Sequence, residues 1–399
     1  MLPNLPVTPA DPNEPTSIAG EINSGPRFRI QDMHRICIVG VGLIGGSFGL
    51  AIRRHRPNLD ICGFDRPEVL EPALERSAIT RAESALPEAV RDADLVLLAA
   101  PVEESIRLMA ELAPHVSGDT IVTDACSVKA PLRDAARRHL PDPRRYIGGH
   151  PMAGSERAGI RHADEFLFEN AAYVLCPPED TSAKEFKSRF GDLLSLVELT
   201  GARVLLMDAE KHDRIAARIS HLPQLLAVAL VNSVGRGLET DPELLLLSAG
   251  GFRDMTRIAS SSFAMWKEIL DRNAEWIGPA LDDFSQEVHE LCNLLGRKDL
   301  SGIEEHFRSA DGTRTAIPEK SKGFLTPVWD LYVFVADQPG ALHEVTGLLA
   351  EVNVSIKDIE LLKIREGTGG TFRIGFESRL SADTAEDRLS ASGYRVHRL

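Results

Sequence analysis

The chain has 399 residues, 43% of them hydrophobic and 26% charged, so at roughly 100–200 residues per domain it makes two to four folded domains and is neither a single small module nor a disordered chain. Forty-five Lys and Arg against 59 Asp and Glu give a formal net charge of -14, which repels a phosphate polyanion and excludes nucleic acid as an expected partner. Five scattered cysteines (Cys37, Cys62, Cys126, Cys176, Cys292) contain no Cys-x-x-Cys pair, so neither a metal site nor a disulfide framework is expected and a reducing compartment fits.

Residues 1–34 read as a disordered tail, because the first 26 carry six prolines among polar residues and cannot bury enough apolar surface. They lack the basic start and apolar core of a secretory signal, which predicts a cytoplasmic protein. Ile36 to Ile52 is uncharged, yet it holds five glycines and falls short of the roughly 20 apolar residues of a membrane span, so no membrane partner is expected.

Residues 35–178 alternate apolar runs with amphipathic stretches, the signature of βαβ units around a doubly wound parallel sheet. Gly40-Val-Gly42-Leu43-Ile44-Gly45 follows the apolar run Ile36–Val39 and opens a helix, the context that a dinucleotide-binding G-x-G-x-x-G requires. Asp65 ends the next apolar run about 20 residues further on, where a carboxylate meets the adenosine ribose hydroxyls. These features predict a Rossmann-type site for NAD. Asp65 disfavours a ribose 2′-phosphate, although Arg66 and Arg53–Arg54 leave some room for NADP. Pro101, closing Ala99-Ala-Pro101, either lines the nucleotide crevice or simply ends a strand.

Thr123 to Lys129 ends a further strand at the carboxyl edge of the sheet, which directs Ser127 and Lys129 toward the cofactor side. Gly148-Gly-His150-Pro ends another, and the proline holds His150 extended. A histidine there is either a structural residue or the proton acceptor of an alcohol oxidation.

Residues 179–310 read as a helical substrate and dimerisation domain, with amphipathic stretches at 184–199, 209–234 and 272–295. Leu225 to Leu230 is too continuously apolar for one exposed face, which predicts burial within the subunit or in a homodimer. His212-Asp-Arg214 lies about two helical turns before Ser220-His221-Leu-Pro223, a spacing at which parts of both share one helix face, while the plainer reading is a solvated helix surface. Gly250-Gly-Phe-Arg-Asp-Met-Thr-Arg257 offers arginines suited to a carboxylate, and Trp266 is either a pocket wall or core. Residues 311–327 form a polar linker, and 328–399 follow a βαββαβ order, the ferredoxin-like arrangement.

These residues resemble prephenate dehydrogenases of tyrosine biosynthesis, followed by an ACT regulatory domain. The resemblance rests on Gly40–Ser47, Asp124-Ala-Cys-Ser-Val-Lys129, Gly149-His-Pro-Met-Ala-Gly-Ser-Glu156, Ser220-His-Leu-Pro223 and Gly250–Ala259, and it covers nearly everything from Arg35 onward. It implies NAD-dependent oxidation of prephenate at its ring hydroxyl, with loss of the ring carboxylate as CO2 to give 4-hydroxyphenylpyruvate. By the same resemblance His150 accepts the hydroxyl proton, Ser127 orients it, Arg257 grips a substrate carboxylate, Gly250, His221 and Trp266 shape the pocket, and Glu156 guards its mouth. Asp337-Gln-Pro-Gly340 is similar to the strand-to-helix turn at which ACT domains bind amino acids, which implies L-tyrosine as a feedback effector. Cys126 departs from the small residue usual at its position. An arogenate or dual-specificity cyclohexadienyl dehydrogenase, a homoserine-type dehydrogenase and a non-catalytic NAD and amino-acid sensor are the competing readings.

Overall fold

A computed structural model describes residues 33–154, 157–316, 329–336, 338–365 and 369–398. They form two compact units that divide after Ala316. The expected tail lies outside the described residues except for residues 33 and 34, as does the expected linker beyond residue 316.

The first unit is built on eight strands: β1 (Arg35–Val39), β2 (Asp60–Phe64), β3 (Arg81–Glu83), β4 (Leu95–Leu98), β5 (Ile121–Asp124), β6 (Tyr146–Pro151), β7 (Ala172–Cys176) and β8 (Arg203–Leu206). Their order is β3-β2-β1-β4-β5-β6-β7-β8. All neighbours pair in parallel except β6 with β7. Alternate side chains feed opposite faces: Ile36, Ile38, Leu95 and Leu97 enter one core, while Cys37, Val39, Val96 and Leu98 enter the other. Both faces are covered, which explains why the central strands are continuously apolar. The chain reverses direction across the sheet between β1 and β4, and ligands of such sheets bind at the carboxyl ends beside that switch.

The sheet continues past the boundary expected at residue 178. Helix Ala183–Leu199 buries Phe186, Phe190, Leu193 and Leu196 in the first core and leads into β8. Four residues with only three apolar side chains are too short to declare a strand by periodicity, so β8 escaped the sequence reading. The linker expected from 311 likewise begins as helix, since Leu300–Ala316 is continuous.

The helical layer follows from Asp208, whose side chain caps the next helix by accepting from the Lys211 N–H. Ala209–Ala216, a π turn at Ala217–His221 and Leu222–Gly237 form one run. Pro223 explains the wide turn: it has no N–H for the carbonyl one turn back, and the helix widens ahead of it. The run is long and apolar enough to cross a membrane. Its amino-terminal half buries His212, Asp213 and His221 against the rest of the unit. Within Leu222–Gly237 only Gln224 and Ala227 are buried, and Leu246, Leu247, Phe263, Leu300 and Phe307 are also exposed, so this layer presents a broad apolar surface.

The second unit has a four-stranded antiparallel sheet of β9 (Trp329–Val335), β10 (Asp358–Arg365), β11 (Gly369–Phe376) and β12 (Arg395–His397), in the order β10-β11-β9-β12. Helices Ala341–Glu351 and Arg379–Ala391 cover one face through Val345, Leu349, Ala385 and Leu389. This is the expected βαββαβ arrangement.

Candidate active site

The turn after β1 is shaped by close approach. Gly40 has φ +94°, and a Cβ there would lie 2.6 Å from the Ala99 carbonyl oxygen, so the loops after β1 and β4 touch. Gly42, by contrast, faces open space, and the helix Leu43–His55 that it precedes has no side-chain cap. Unsatisfied N–H groups at an uncapped helix start suit a pyrophosphate, so the Gly40–Gly45 turn with Leu43 and Ile44 fits a dinucleotide. Asp65 braces this turn: Oδ2 accepts from the Val41 N–H at 2.8 Å and Oδ1 from the Arg66 N–H at 2.7 Å. Arg53 is engaged by the Ser77 carbonyl, and Arg54 by Glu165 and Glu169, so neither waits for a 2′-phosphate. Exposed Pro101 precedes helix Val102–Leu112 beside this crevice.

His150, 8% exposed, is held at the end of β6. Its Nδ1 lies 2.7 Å from His212 Nε2, and His212 Nδ1 lies 2.7 Å from Asp213 Oδ1. The carboxylate can only accept, so His212 carries its proton on Nδ1. With both rings neutral, His212 Nε2 accepts from His150 Nδ1–H, which leaves the lone pair of His150 at Nε2. Asp213 is itself oriented by the N–H groups of Lys129 and Ala130, at 2.7 and 2.8 Å. Burial first, then His212, Lys129 and His221, hold His150 well below the usual histidine range, so it stays a neutral base.

His221 and Trp266 meet edge to face with centroids 5.9 Å apart. Asn273 Nδ2, a donor, lies 3.0 Å from His221 Nδ1, which puts the His221 proton on Nε2. Among the described residues neither His221 Nε2 nor Trp266 Nε1 has a hydrogen-bond partner, although both are buried. A buried donor left unmet costs about 1–3 kcal/mol. Burial also depresses His221, to about 4.

The other expected residues are less tightly gathered. Ser127 is half-buried in the turn after β5, and among the described residues no hydrogen bond joins it to His150. Gly250 and Arg257 are exposed, on helix Gly250–Thr256 and the 3-10 turn Arg257–Ser260. That turn docks on the His221 helix through Gln224 Nε2, which donates to the Ile258 carbonyl at 2.9 Å. Glu156 and Asp337 lie outside the described residues. Gly340 starts helix Ala341–Glu351 with φ +89°. Cys126 fills its niche by reaching Ser105 and the Ala100 carbonyl, and burial pushes its thiol up to about 12, which makes it inert.

Two expectations are corrected. Lys129 does not face the cofactor: it is fully buried and pairs with Asp124, because an unpaired ammonium cannot be kept in a dry core. His212-Asp213 is no solvated surface, with the two residues 2% and 1% exposed. A sign was present in the sequence: His212 and Asp213 stand three and four residues after Ala209 and in register with Ala216, on the face that turns inward.

Residues 48–206 match the family model of the prephenate dehydrogenase nucleotide-binding domain, 208–309 that of the prephenate dehydrogenase dimerization domain, and 329–390 that of the ACT domain. The prephenate dehydrogenase of Bacillus subtilis (strain 168) is 36% identical over 358 residues, 89% of this chain and 95% of that protein. The chain belongs to the prephenate dehydrogenase family. Among solved structures, the prephenate dehydrogenase of A. aeolicus in complex with hydroxyphenyl propionate and NAD+ has a TM-score of 0.66 at 31% identity, covering 73% of this chain and all of that one. Synechocystis arogenate dehydrogenase has a TM-score of 0.62 at 30% identity, over 71% of this chain and all of that one. In this prephenate dehydrogenase sheet, the three motifs ending β1, β5 and β6 share the carboxyl edge.

Proposed function

We propose that this chain is an NAD-dependent prephenate dehydrogenase, and that the carrying observation is the neutral, buried His150 held through His212 by Asp213. Bound NAD supplies the hydride acceptor. His150 Nε2 takes the proton of the ring C4 hydroxyl as the C4–H bond gives up its hydride. The electrons of the ring-carboxylate bond then complete the aromatic ring as CO2 leaves, and the phenolate oxygen takes the proton back from His150 Nε2 to give 4-hydroxyphenylpyruvate. The imidazolium that forms on His150 donates from Nδ1 to His212, with the Asp213 carboxylate behind it, so the positive charge is met without water.

Ser127 orients the hydroxyl, Arg257 binds a substrate carboxylate, and the open donors of His221 and Trp266 meet further oxygens of the substrate. Glu156 guards the mouth of the pocket and Gly250 shapes it. The exposed apolar surface of the helical layer, matched by a dimerization-domain model, supports a homodimer. The ACT unit binds L-tyrosine as a feedback effector at Asp337 and Gly340, and the protein acts in the cytoplasm.

The test is NADH formation with prephenate and with arogenate, each with and without L-tyrosine. Turnover of prephenate suppressed by tyrosine is expected. Faster turnover of arogenate would assign that substrate instead, a reading favoured by the arogenate dehydrogenase among the structural neighbours. Silence with both substrates under NAD and NADP would leave a non-catalytic sensor.

A further inference from the structure

We propose that Lys129 is the positioning residue of His150, and that the buried Asp124–Lys129 ion pair serves to clamp the Gly149 peptide that precedes the base. The inference rests on His150 being the proton acceptor.

Gly149 is held on both sides. Its N–H donates to Asp124 Oδ1 at 3.1 Å, and its carbonyl accepts from Lys129 Nζ at 2.5 Å. Lys129 Nζ also donates to Asp124 Oδ2, and that carboxylate is fixed further by the Tyr146 hydroxyl at 2.6 Å and the Cys126 N–H at 2.9 Å. The fit admits no side chain: a Cβ on Gly149 would lie 2.2 Å from the Asp124 carbonyl oxygen.

Lys129 reaches the same histidine from a second direction, because its own N–H donates to Asp213 Oδ1 and Asp213 fixes His212 against the His150 ring. One residue therefore ties down the backbone of His150 through its side chain and the ring through its main chain. A fully buried ion pair is weak as a device for stability alone, since desolvation offsets much of the attraction. Its use here is register.

The charge matters as well. His150 is faced by His212 and Asp213 from helix Ala209–Ala216, His221 from the π turn, and Asp124 and Lys129 from the end of β5 and the turn after it. β7 alongside brings Tyr173 and Cys176, and β6 itself Tyr146, all three pushed up by burial and so uncharged. Lys129 is the one lysine or arginine of this set and disfavours protonation of His150.

The experiment compares the full-length parent with Lys129→Met, the charge-balanced double variant Asp124→Asn with Lys129→Met, and His150→Asn. Melting temperature, NAD affinity by calorimetry, and kcat and KM against pH are measured. Lys129→Met should keep NAD affinity and the KM for prephenate within about twofold, lose about 10- to 100-fold in kcat, and move the acid limb of its pH profile upward by roughly one unit. Where the lone Asp124 charge keeps Lys129→Met from folding, the double variant decides: it should fold, bind NAD normally and show the kcat loss with little change in KM. A purely structural lysine would lower the melting temperature and leave the acid limb and kcat in place, and that result in either folded variant overturns the proposal. Parental turnover in His150→Asn would instead overturn the proton-acceptor reading, and this inference with it.

Discussion

His150 and His212, 62 residues apart in sequence, stand 2.7 Å apart through Nδ1 and Nε2, and Asp213 behind His212 decides which nitrogen of each ring carries the proton. The helical layer thus orients the histidine that the β/α layer presents.

From this follows the first prediction. His150→Asn should lower kcat by orders of magnitude with NAD affinity nearly unchanged. Asp213→Asn should also lower kcat, by about 100-fold or more, because the amide removes the negative charge behind His212 and, whichever way it turns, sets its NH2 against the Lys129 or the Ala130 N–H, which disturbs the group that fixes the His212 tautomer. Steady-state kinetics with NAD titration checks both, and turnover near the parent in Asp213→Asn would remove the relay.

Arg257 makes the second. If it binds a substrate carboxylate, Arg257→Ala raises KM for prephenate by roughly 10-fold or more and leaves the KM for NAD alone, since charge-assisted hydrogen bonds are lost on one ligand only. An unchanged KM for prephenate would take Arg257 out of the site.

The third concerns acid. The folded pKa of His221, about 4, lies below its ordinary 6.5, so on acidification the unfolded chain takes up a proton before the folded chain does. The associated stability is complete above pH 6.5 and is lost as pH falls toward about 4, on the order of 3 kcal/mol for this residue. His150, depressed by burial and its neighbours, adds loss in the same direction. Melting temperature followed from pH 7 to pH 4 should fall, and less steeply in His221→Gln. Parallel curves for parent and variant would refute the assignment. Turnover should drop at the acid end as well, as His150 protonates.

Much of the nucleotide half was legible in the chain because its signals are local. The Gly40–Gly45 turn, the following helix and Asp65 occupy 26 consecutive positions, and the structure joins their ends by the Asp65 to Val41 bond. The second unit was legible for the same reason, each strand and helix having its own periodicity. Strand β8 was not, since its identity comes from pairing with β7 and not from its four residues. The burial of His212, Asp213 and Lys129 was not legible for a related reason: charge and polarity imply solvent until a partner is known, and the partners are remote, His212 standing 62 positions from His150 and Asp213 84 positions from Lys129.

Sequence by itself determined the elements whose cause is a few adjacent residues: the glycine turn after β1, the strand-ending His150-Pro pair, the βαββαβ unit and the family motifs. Only the tertiary structure decided which polar groups are buried together, and so the tautomer of His150, the burial of Lys129 and the open donors of His221 and Trp266. Hydrogen bonds in a dry interior are set by three-dimensional proximity and by the cost of leaving any donor or charge unmet, and neither is written in local composition.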